Sequence, residues 1–373
     1  MAGSIQKVNN RFRITKELGK DSNGKRLREY AYASTEAEAK KLLAEFEYNL
    51  QRNLLVQSSD INLLEFLEHW MDNYVKYNCE ETTAYGYRNI VYKHIAPFLG
   101  DIPLQKLQPK HIQQYYKHLI DEKKLSPNTV HKHHASLRKA LDYGLKQQYV
   151  YRNVADAVSL PKRKRFEGKS YTKEQLSLLL EKVRDTKLEL PVKLCVFLGL
   201  RREEVCGLKW EWVDLQNRTL KIQEVRTVAG KHVIVKPPKT EKSRRTLFVE
   251  DELYDILLKT QKRQKELKQL LGKDYEDSGY VFTRDDGKPY RVNSVTERFK
   301  EFLENNNLPR LRLHDLRHSF ASILYDEGVD LLAISQALGH SDLSTTSRVY
   351  LHTFDKNHKN TVSAMSSALR INK

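Results

Sequence analysis

Leu313-His314-Asp315-Leu316-Arg317-His318, followed by Leu338-Gly339-His340 and then Arg348-Val349-Tyr350, is the sequence on which the reading of this chain turns. Imidazoles, a guanidinium and a phenol are spread over residues 313–350 in a helix-like background. The set suits a phosphodiester. Arg clamps non-bridging oxygens, His donates a hydrogen bond to developing charge, and a phenol oxygen can attack phosphorus. His314 and Arg317 fall one turn apart at the start of a helix. His314 and His318, at i and i+4, also have the spacing of a zinc helix, but no carboxylate or cysteine completes an evident ligand set. Asp330 is positioned to cap a helix through Leu331, Leu332, Ile334 and Leu338, which Gly339 ends in a left-handed turn. The turn aims His340 instead of burying it in the helix. Tyr350 is one of 20 tyrosines, and its distinction is its place ten residues after His340.

Upstream, Gly199-Leu200-Arg201-Arg202-Glu203-Glu204-Val205 follows an apolar run, which sets a guanidinium at the edge of a core. The plainest role for Arg201 is an ion pair with Glu203 or Glu204. Lys239, in Pro238-Lys239-Thr240, lies on a loop before a strand, where a long side chain can reach outward; Lys236 and Lys242 are nearby. Taken in order and at this spacing, these segments resemble the tyrosine recombinase (phage integrase) family, of the arm-binding type found in prophages and conjugative transposons. The resemblance implies that Arg201, His314, Arg317 and His340 hold the scissile phosphate and that Glu204 supports Arg201. It implies that Lys239 protonates the departing 5′ oxygen and that Tyr350 is the nucleophile. The implied function is site-specific recombination through a 3′-phosphotyrosine and a Holliday junction, by four protomers on two duplexes, with no metal or other cofactor. A type IB topoisomerase shares this chemistry, and a non-catalytic DNA-binding protein is the rival from another class. The basic N-terminal ribbon favours recombination over the first, and the full residue set disfavours the second.

Composition agrees with a nucleic-acid partner. The 373 residues carry a formal net charge of +17, 39% hydrophobic and 30% charged side chains. Such a charge favours a polyanion, because neutralised phosphates release condensed counterions. The three cysteines, Cys79, Cys195 and Cys206, show no paired spacing, and the last two sit in apolar runs as buried thiols. No signal-like or membrane-length apolar run is present, so the expected location is cytoplasmic.

The expected fold is multidomain α+β, in three modules. Residues 1–56 read as a small sheet plus a helix. Arg11, Arg13 and Thr15 alternate with Phe12 and Ile14, and Arg26, Arg28 and Tyr30 with Leu27, about a turn at Ser22-Asn23-Gly24. Thr35 and Glu38 form a capping box for a helix that covers one face, leaving Arg11, Arg13, Arg26 and Arg28 on the other. A basic ribbon of this kind can lie in a DNA groove, and it resembles the arm-binding domain of integrases.

Residues 60–158 read as all helical, with Asp60 as a cap and helices begun by Pro109 and by Ser126-Pro127. In the last, Val130, Leu137, Leu141 and Leu145 face inward, while Lys132, His133, Arg138 and Lys139 occupy other faces, for phosphate or for solvent. Leu99-Gly100-Asp101-Ile102-Pro103-Leu104 resembles the family's core-binding domain. Residues 159–170, rich in Lys and Arg, read as a linker. Residues 171–373 read as a mostly helical catalytic domain with one small antiparallel sheet made of residues 220–222, 233–235 and 246–249. The expected partners are double-stranded attachment sites of core and arm type, further copies of the chain in a tetramer, and an excision or DNA-bending protein. No membrane partner is expected.

Overall fold

The computed structural model describes residues 3–20, 26–51, 61–164 and 170–339. The chain divides into two units, Met1–Arg165 and Phe166–Lys373.

The first unit opens with a three-stranded antiparallel sheet of β1 (Gly3–Val8), β2 (Arg11–Lys20) and β3 (Arg26–Ala33), followed by helix α1 (Glu36–Gln51). Asn9 and Asn10, both at positive φ, make the two-residue turn between β1 and β2, a conformation asparagine tolerates better than most residues. The turn foreseen at Ser22-Asn23-Gly24 lies outside the described residues. Register pairs Ile5 with Ile14 and Ile14 with Ala31, so one face carries the apolar set. Ile14, Ala33, Ala39 and Phe46 are buried there. At the start of α1, Thr35 Oγ1 accepts from Glu38 N, while the Glu38 carboxylate accepts from Ser34 N.

The helical part begins with α2 (Leu63–Trp70), which runs on through a π turn at Met71–Val75. The cap is Asn62, not Asp60, which lies outside the described residues. Asn62 Oδ1 accepts from Glu65 N and Glu65 Oε2 from Asn62 N, both at 2.9 Å, so two orphan donors are satisfied reciprocally. Then come α3 (Glu81–Ile90), a second π turn at Val91–Ile95, α4 (Pro109–Asp121) and α5 (Pro127–Lys146). Ser126 caps α5 with Pro127 in its first turn. Phe66, Trp70, Ile112, Tyr115, Tyr116, Val130, Leu137 and Leu141 form the core. Two expectations for α5 are corrected. Leu145 is 41% exposed because it falls near the helix end, beyond the packed stripe. His133 is buried and hydrogen-bonded to the Tyr115 hydroxyl at 2.7 Å, so it belongs to the core and not to a DNA-facing side.

The second unit starts with α6 (Lys173–Val183), capped by Thr172 with Gln175 as its box partner, and the buried helix α7 (Glu189–Leu198). The short α8 (Arg202–Gly207) follows. The sheet region differs from expectation. β4 (Val213–Asp214), β5 (Thr219–Ile222) and β8 (Arg245–Phe248) form one sheet, and β6 (Val225–Ala229) with β7 (His232–Lys236) forms a separate hairpin. The turn at Ala229-Gly230 therefore joins residues 225–229 to β7, not residues 220–222. Two inward-facing apolar segments close in sequence look alike whichever strand they pair with. Helices α9 (Asp251–Leu271), α10 (Val292–Asn305), α11 (Asp315–Asp326) and α12 (Leu331–Leu338) follow, about a core drawn from α6, α7, α9 and α10. Cys195 and Cys206 are free and buried within it. Among the described residues no helix is long and apolar enough to cross a membrane.

Candidate active site

Helix α7 ends at Gly199, whose φ of +61° reverses the chain into the Arg201 segment. A side chain there would be strained and would displace its neighbours: a Cβ would stand 2.8 Å from Leu338 Cδ2 and 2.9 Å from Phe320 Cδ1. The turn thus lets α11 and α12 close against the end of α7. Its carbonyl is put to use, for Gly199 O accepts from Arg317 Nη1 at 2.6 Å, and Arg317 Nη2 donates to Leu338 O at 2.6 Å. Arg317 is 3% exposed. Burial pushes its pKa down, Arg201 pushes it further and Glu204 opposes, leaving it at about 9. It stays a cation at pH 7, and Arg201 is near enough for their charges to interact.

Arg201 precedes the first residue of α8. Its backbone N–H donates to Glu204 Oε2 at 3.0 Å and its Nη1 to Glu204 Oε1 at 2.8 Å. The plain ion-pair reading is therefore realised, with Glu204; Glu203 pairs with Arg202 instead. About a third of the Arg201 side chain stays open, 31% by area, against 1% for Glu204. Burial alone would raise the Glu204 pKa, but the hydrogen bond and charge of Arg245, then Arg201 and Arg317, outweigh it and hold the carboxyl below its usual range.

Arg245 is the residue that sequence reasoning missed. It donates from Nη2 to Glu204 Oε2 at 2.9 Å and from Nη1 to Glu204 Oε1 at 3.2 Å, a two-pronged pair. Its Nε donates to Ala337 O at 2.8 Å. The signal in the sequence is parity: in β8 it falls on the same side as the half-buried Leu247, an inward place for a charge.

His314 stands just before α11 with its solvent-facing side open. Desolvation, then the charges of His318 and Arg317, push its pKa down, so the ring is neutral at pH 7. His318 meets it edge to face at 5.4 Å between centroids. Among the described residues no group of His, Cys, Asp or Glu converges as a metal site. Asp315 accepts from Arg312 N, Nε and Nη2, which fixes the start of the helix that carries Arg317. Lys239 is exposed on the segment between β7 and β8. That segment is tethered near the site, since Ser243 Oγ donates to Gly339 O at 3.4 Å and bonds Thr240 Oγ1 at 2.9 Å. Asp330 caps α12 through Leu332 N and Ala333 N, and Gly339, at φ +64°, ends it. His340 and Tyr350 lie outside the described residues. The second unit therefore brings Arg201, Glu204, Arg245, Arg317 and the end of α12 together, with His314 beside Arg317.

The N-terminal sheet places Arg11, Arg13 and Arg28 on the face away from α1. Register aligns Gln6, Arg13 and Tyr32 in one row and Ser4, Thr15 and Tyr30 in the next. Tyr30 and Tyr32 are exposed, and the Arg13 guanidinium lies over the Tyr30 ring at 5.4 Å. Arg28 pairs with Glu17 at 3.3 Å, which offsets its charge. The Arg26 side chain lies outside the described residues. In α5, Lys132 is exposed, while Arg138 is exposed but paired with Asp156 at 2.6 Å. Lys139 lies against the Tyr74 and Tyr87 rings at 5.5 and 5.7 Å, so it packs locally.

Comparison with known proteins gives the chain a lineage. The phage integrase family model matches residues 169–357, and the phage integrase N-terminal SAM-like domain matches residues 62–120. A protein named tyrosine recombinase XerC-like from Caldanaerobacter subterraneus is 26% identical over 95% of both chains. The ICEBs1 integrase of Bacillus subtilis is 27% identical, covering 95% of this chain and 97% of its own. Among solved structures, a Tn1549 transposon integrase in complex with a circular intermediate DNA aligns with a TM-score of 0.70 at 19% identity, over 82% of this chain and 99% of that one. A lambda integrase tetramer bound to a Holliday junction aligns with a TM-score of 0.56 at 17% identity, over 91% and 96%. The match over residues 169–357, half of the 373-residue chain, decides the matter: the chain belongs to the phage integrase family, the tyrosine-type site-specific recombinases.

Proposed function

We propose that this recombinase cuts DNA with Tyr350 and holds the scissile phosphate with Arg201, Arg317, His314 and His340. The Tyr350 oxygen bonds to phosphorus as the bond to the 5′ oxygen breaks, giving a 3′-phosphotyrosine and a free 5′ hydroxyl. Lys239 supplies the proton for the departing oxygen. His314, neutral at pH 7, carries one N–H for a non-bridging oxygen and one lone pair that can take the phenolic proton. Arg201 and Arg317 counter the charge of the five-coordinate phosphorus, and loss of one such donor costs about 10²–10³ in rate. The ester keeps the energy of the broken bond, so a 5′ hydroxyl from a partner duplex can attack in its turn. Two such rounds on two duplexes pass through a Holliday junction, which calls for four protomers.

The single observation that carries this reading is the gathering of two guanidiniums about the buried Glu204: Arg201 bonds its carboxylate, and Arg317 lies close enough to feel the charges of both. With Arg245 there are three guanidiniums against the single Glu204 carboxylate, an excess of positive charge that a phosphodiester can neutralise.

The finer assignments belong to the same proposal. The chain serves a mobile element, as the names of the ICEBs1 and Tn1549 relatives suggest. The outer face of the N-terminal sheet, with Arg11, Arg13, Tyr30 and Tyr32, takes a second class of DNA site, and Lys132 meets the core site. An excision or DNA-bending protein sets direction, and the reaction runs in the cytoplasm. The test is covalent trapping on nicked fragments from the DNA flanking the gene, with wild type and Tyr350→Phe side by side on a denaturing gel. A shifted band in wild type alone is expected. A band that persists in Tyr350→Phe moves the nucleophile elsewhere.

A further inference from the structure

Arg245 has no place in the chemistry above, yet it is among the most fully engaged cations of the second unit. Its side chain is 7% exposed. Of the five N–H groups of a guanidinium, Nε serves Ala337 O, Nη1 serves Glu204 Oε1 and Ser243 O, and Nη2 serves Glu204 Oε2. Too little remains for it to be a phosphate ligand. What it holds is informative. Glu204 is the anchor of Arg201 and accepts from it twice, so its two oxygens receive four hydrogen bonds divided equally between the two arginines. Ala337 is in the last turn of α12, one residue before Leu338, whose carbonyl Arg317 holds. The Gly339 turn closes directly on this side chain: a Cβ there would stand 3.1 Å from Arg245 Nη1 and 3.1 Å from Lys242 O. From that turn the chain continues to His340 and Tyr350.

We infer that Arg245 is a positioning residue of the cleavage reaction: it fixes the orientation of Arg201 through Glu204 and, with the same guanidinium, the point from which the nucleophile-bearing segment leaves α12. The inference rests on the assignment of Arg201 and Tyr350 made above. Its physical content is that a planar group with donors at fixed angles sets the relative place of two segments as a flexible ammonium cannot. Misplacement of a reacting group by about 1 Å costs roughly 10² in rate.

The experiment measures adduct formation in a single turnover at saturating DNA, on nicked substrates whose scissile group is either a phosphate or a methylphosphonate. The methyl group removes one non-bridging oxygen, so the ratio of the two rates reports how strongly the arginines grip that group. Wild type, Arg245→Ala, Arg245→Lys, Glu204→Gln and Tyr350→Phe are compared, with DNA affinity and thermal midpoint recorded for each. Arg245→Ala is expected to slow cleavage of the phosphate about 10²-fold, change DNA affinity less than about threefold, and lower the rate ratio about tenfold, with Glu204→Gln moving the ratio in the same direction. Arg245→Lys, which keeps charge and bulk, is the variant to use if Arg245→Ala does not fold. It is expected to lower the ratio as well, because it cannot bridge Glu204 and Ala337 O together. Equal slowing of both substrates, or a lowered midpoint with unchanged rates below it, would overturn the inference. An adduct in Tyr350→Phe would instead overturn the assignment of the nucleophile.

Discussion

Replacing Glu204 by Gln removes one charge and leaves the shape of the side chain intact, in a place where the consequences can be worked through. The carboxylate is 1% exposed and accepts four hydrogen bonds from Arg201 and Arg245. An amide keeps one acceptor oxygen and replaces the other with an NH₂ that only donates, so this NH₂ must face a guanidinium that also only donates. Arg245, 7% exposed, then keeps its charge without its counter-ion. Breaking a buried pair from one side costs about 3–5 kcal/mol. A domain of the size of residues 166–373 loses about 2–4 °C per kcal/mol, so the midpoint of the second unit should fall by roughly 6–20 °C. Thermal unfolding followed by circular dichroism, at neutral and at acid pH, is the assay. The sign with pH follows from the Glu204 carboxyl, which is held below its usual range in the folded state. Its contribution is fully present above the unfolded carboxyl pKa, near about 4.3, and is lost as pH falls through the lower folded value. The gap between wild type and variant should therefore be constant at neutral pH and narrow in acid. A neutral-pH gap under about 1 kcal/mol would refute the reasoning, because it would mean that the four hydrogen bonds do not outweigh the desolvation of the carboxylate.

Other outcomes follow from single contacts. Gly199→Ala combines a left-handed residue with a Cβ 2.8 Å from Leu338 Cδ2, and should lower stability by about 1–3 kcal/mol in urea denaturation. Adduct formation should slow as well, since Gly199 O holds Arg317. Tyr115→Phe leaves the buried His133 Nδ1 without its 2.7 Å partner, at a cost of about 1–3 kcal/mol, readable as faster amide exchange across α5. His133 itself is pushed down to about 4 by desolvation and then by His94. A base depressed on folding gives stability that is whole above its unfolded pKa, near about 6.5, and is lost as pH falls toward 4. His133→Gln should flatten that loss in the amide exchange of residues 127–146. Arg11→Ala with Arg13→Ala should lower the salt slope of binding to distal DNA sites by roughly two, measured by fluorescence anisotropy across salt; an unchanged slope would return that sheet face to solvent.

Helix ends were legible because their signals are local. The Ser126-Pro127 start, the Thr172 and Gln175 box, and the Asp330 and Gly339 limits of α12 need only neighbours within one turn. The alternation in residues 11–15 likewise foretold which face of the N-terminal sheet is buried. The pairing of the strands in the second unit was not legible, because β5 and β6 are both short and only their partners, β8 and β7, distinguish them. The placing of His133 failed for a similar reason: a polar residue on a helix reads as exposed until a facing Tyr115 hydroxyl is found for it.

By itself the sequence determined the family and the order of the chemical groups along the chain, from which the phosphate contacts proposed above are drawn. Side-chain chemistry and spacing along one chain are enough for that. Tertiary structure alone decided how the groups are held: Arg245 on Glu204 across 41 residues, Arg245 on Ala337 O across 92, and Arg317 on Gly199 O across 118. Contacts over such separations leave no periodic trace. A guanidinium that clamps a phosphate and one that braces its neighbour are the same letter in the sequence. They are told apart by which donors the folded chain has already engaged.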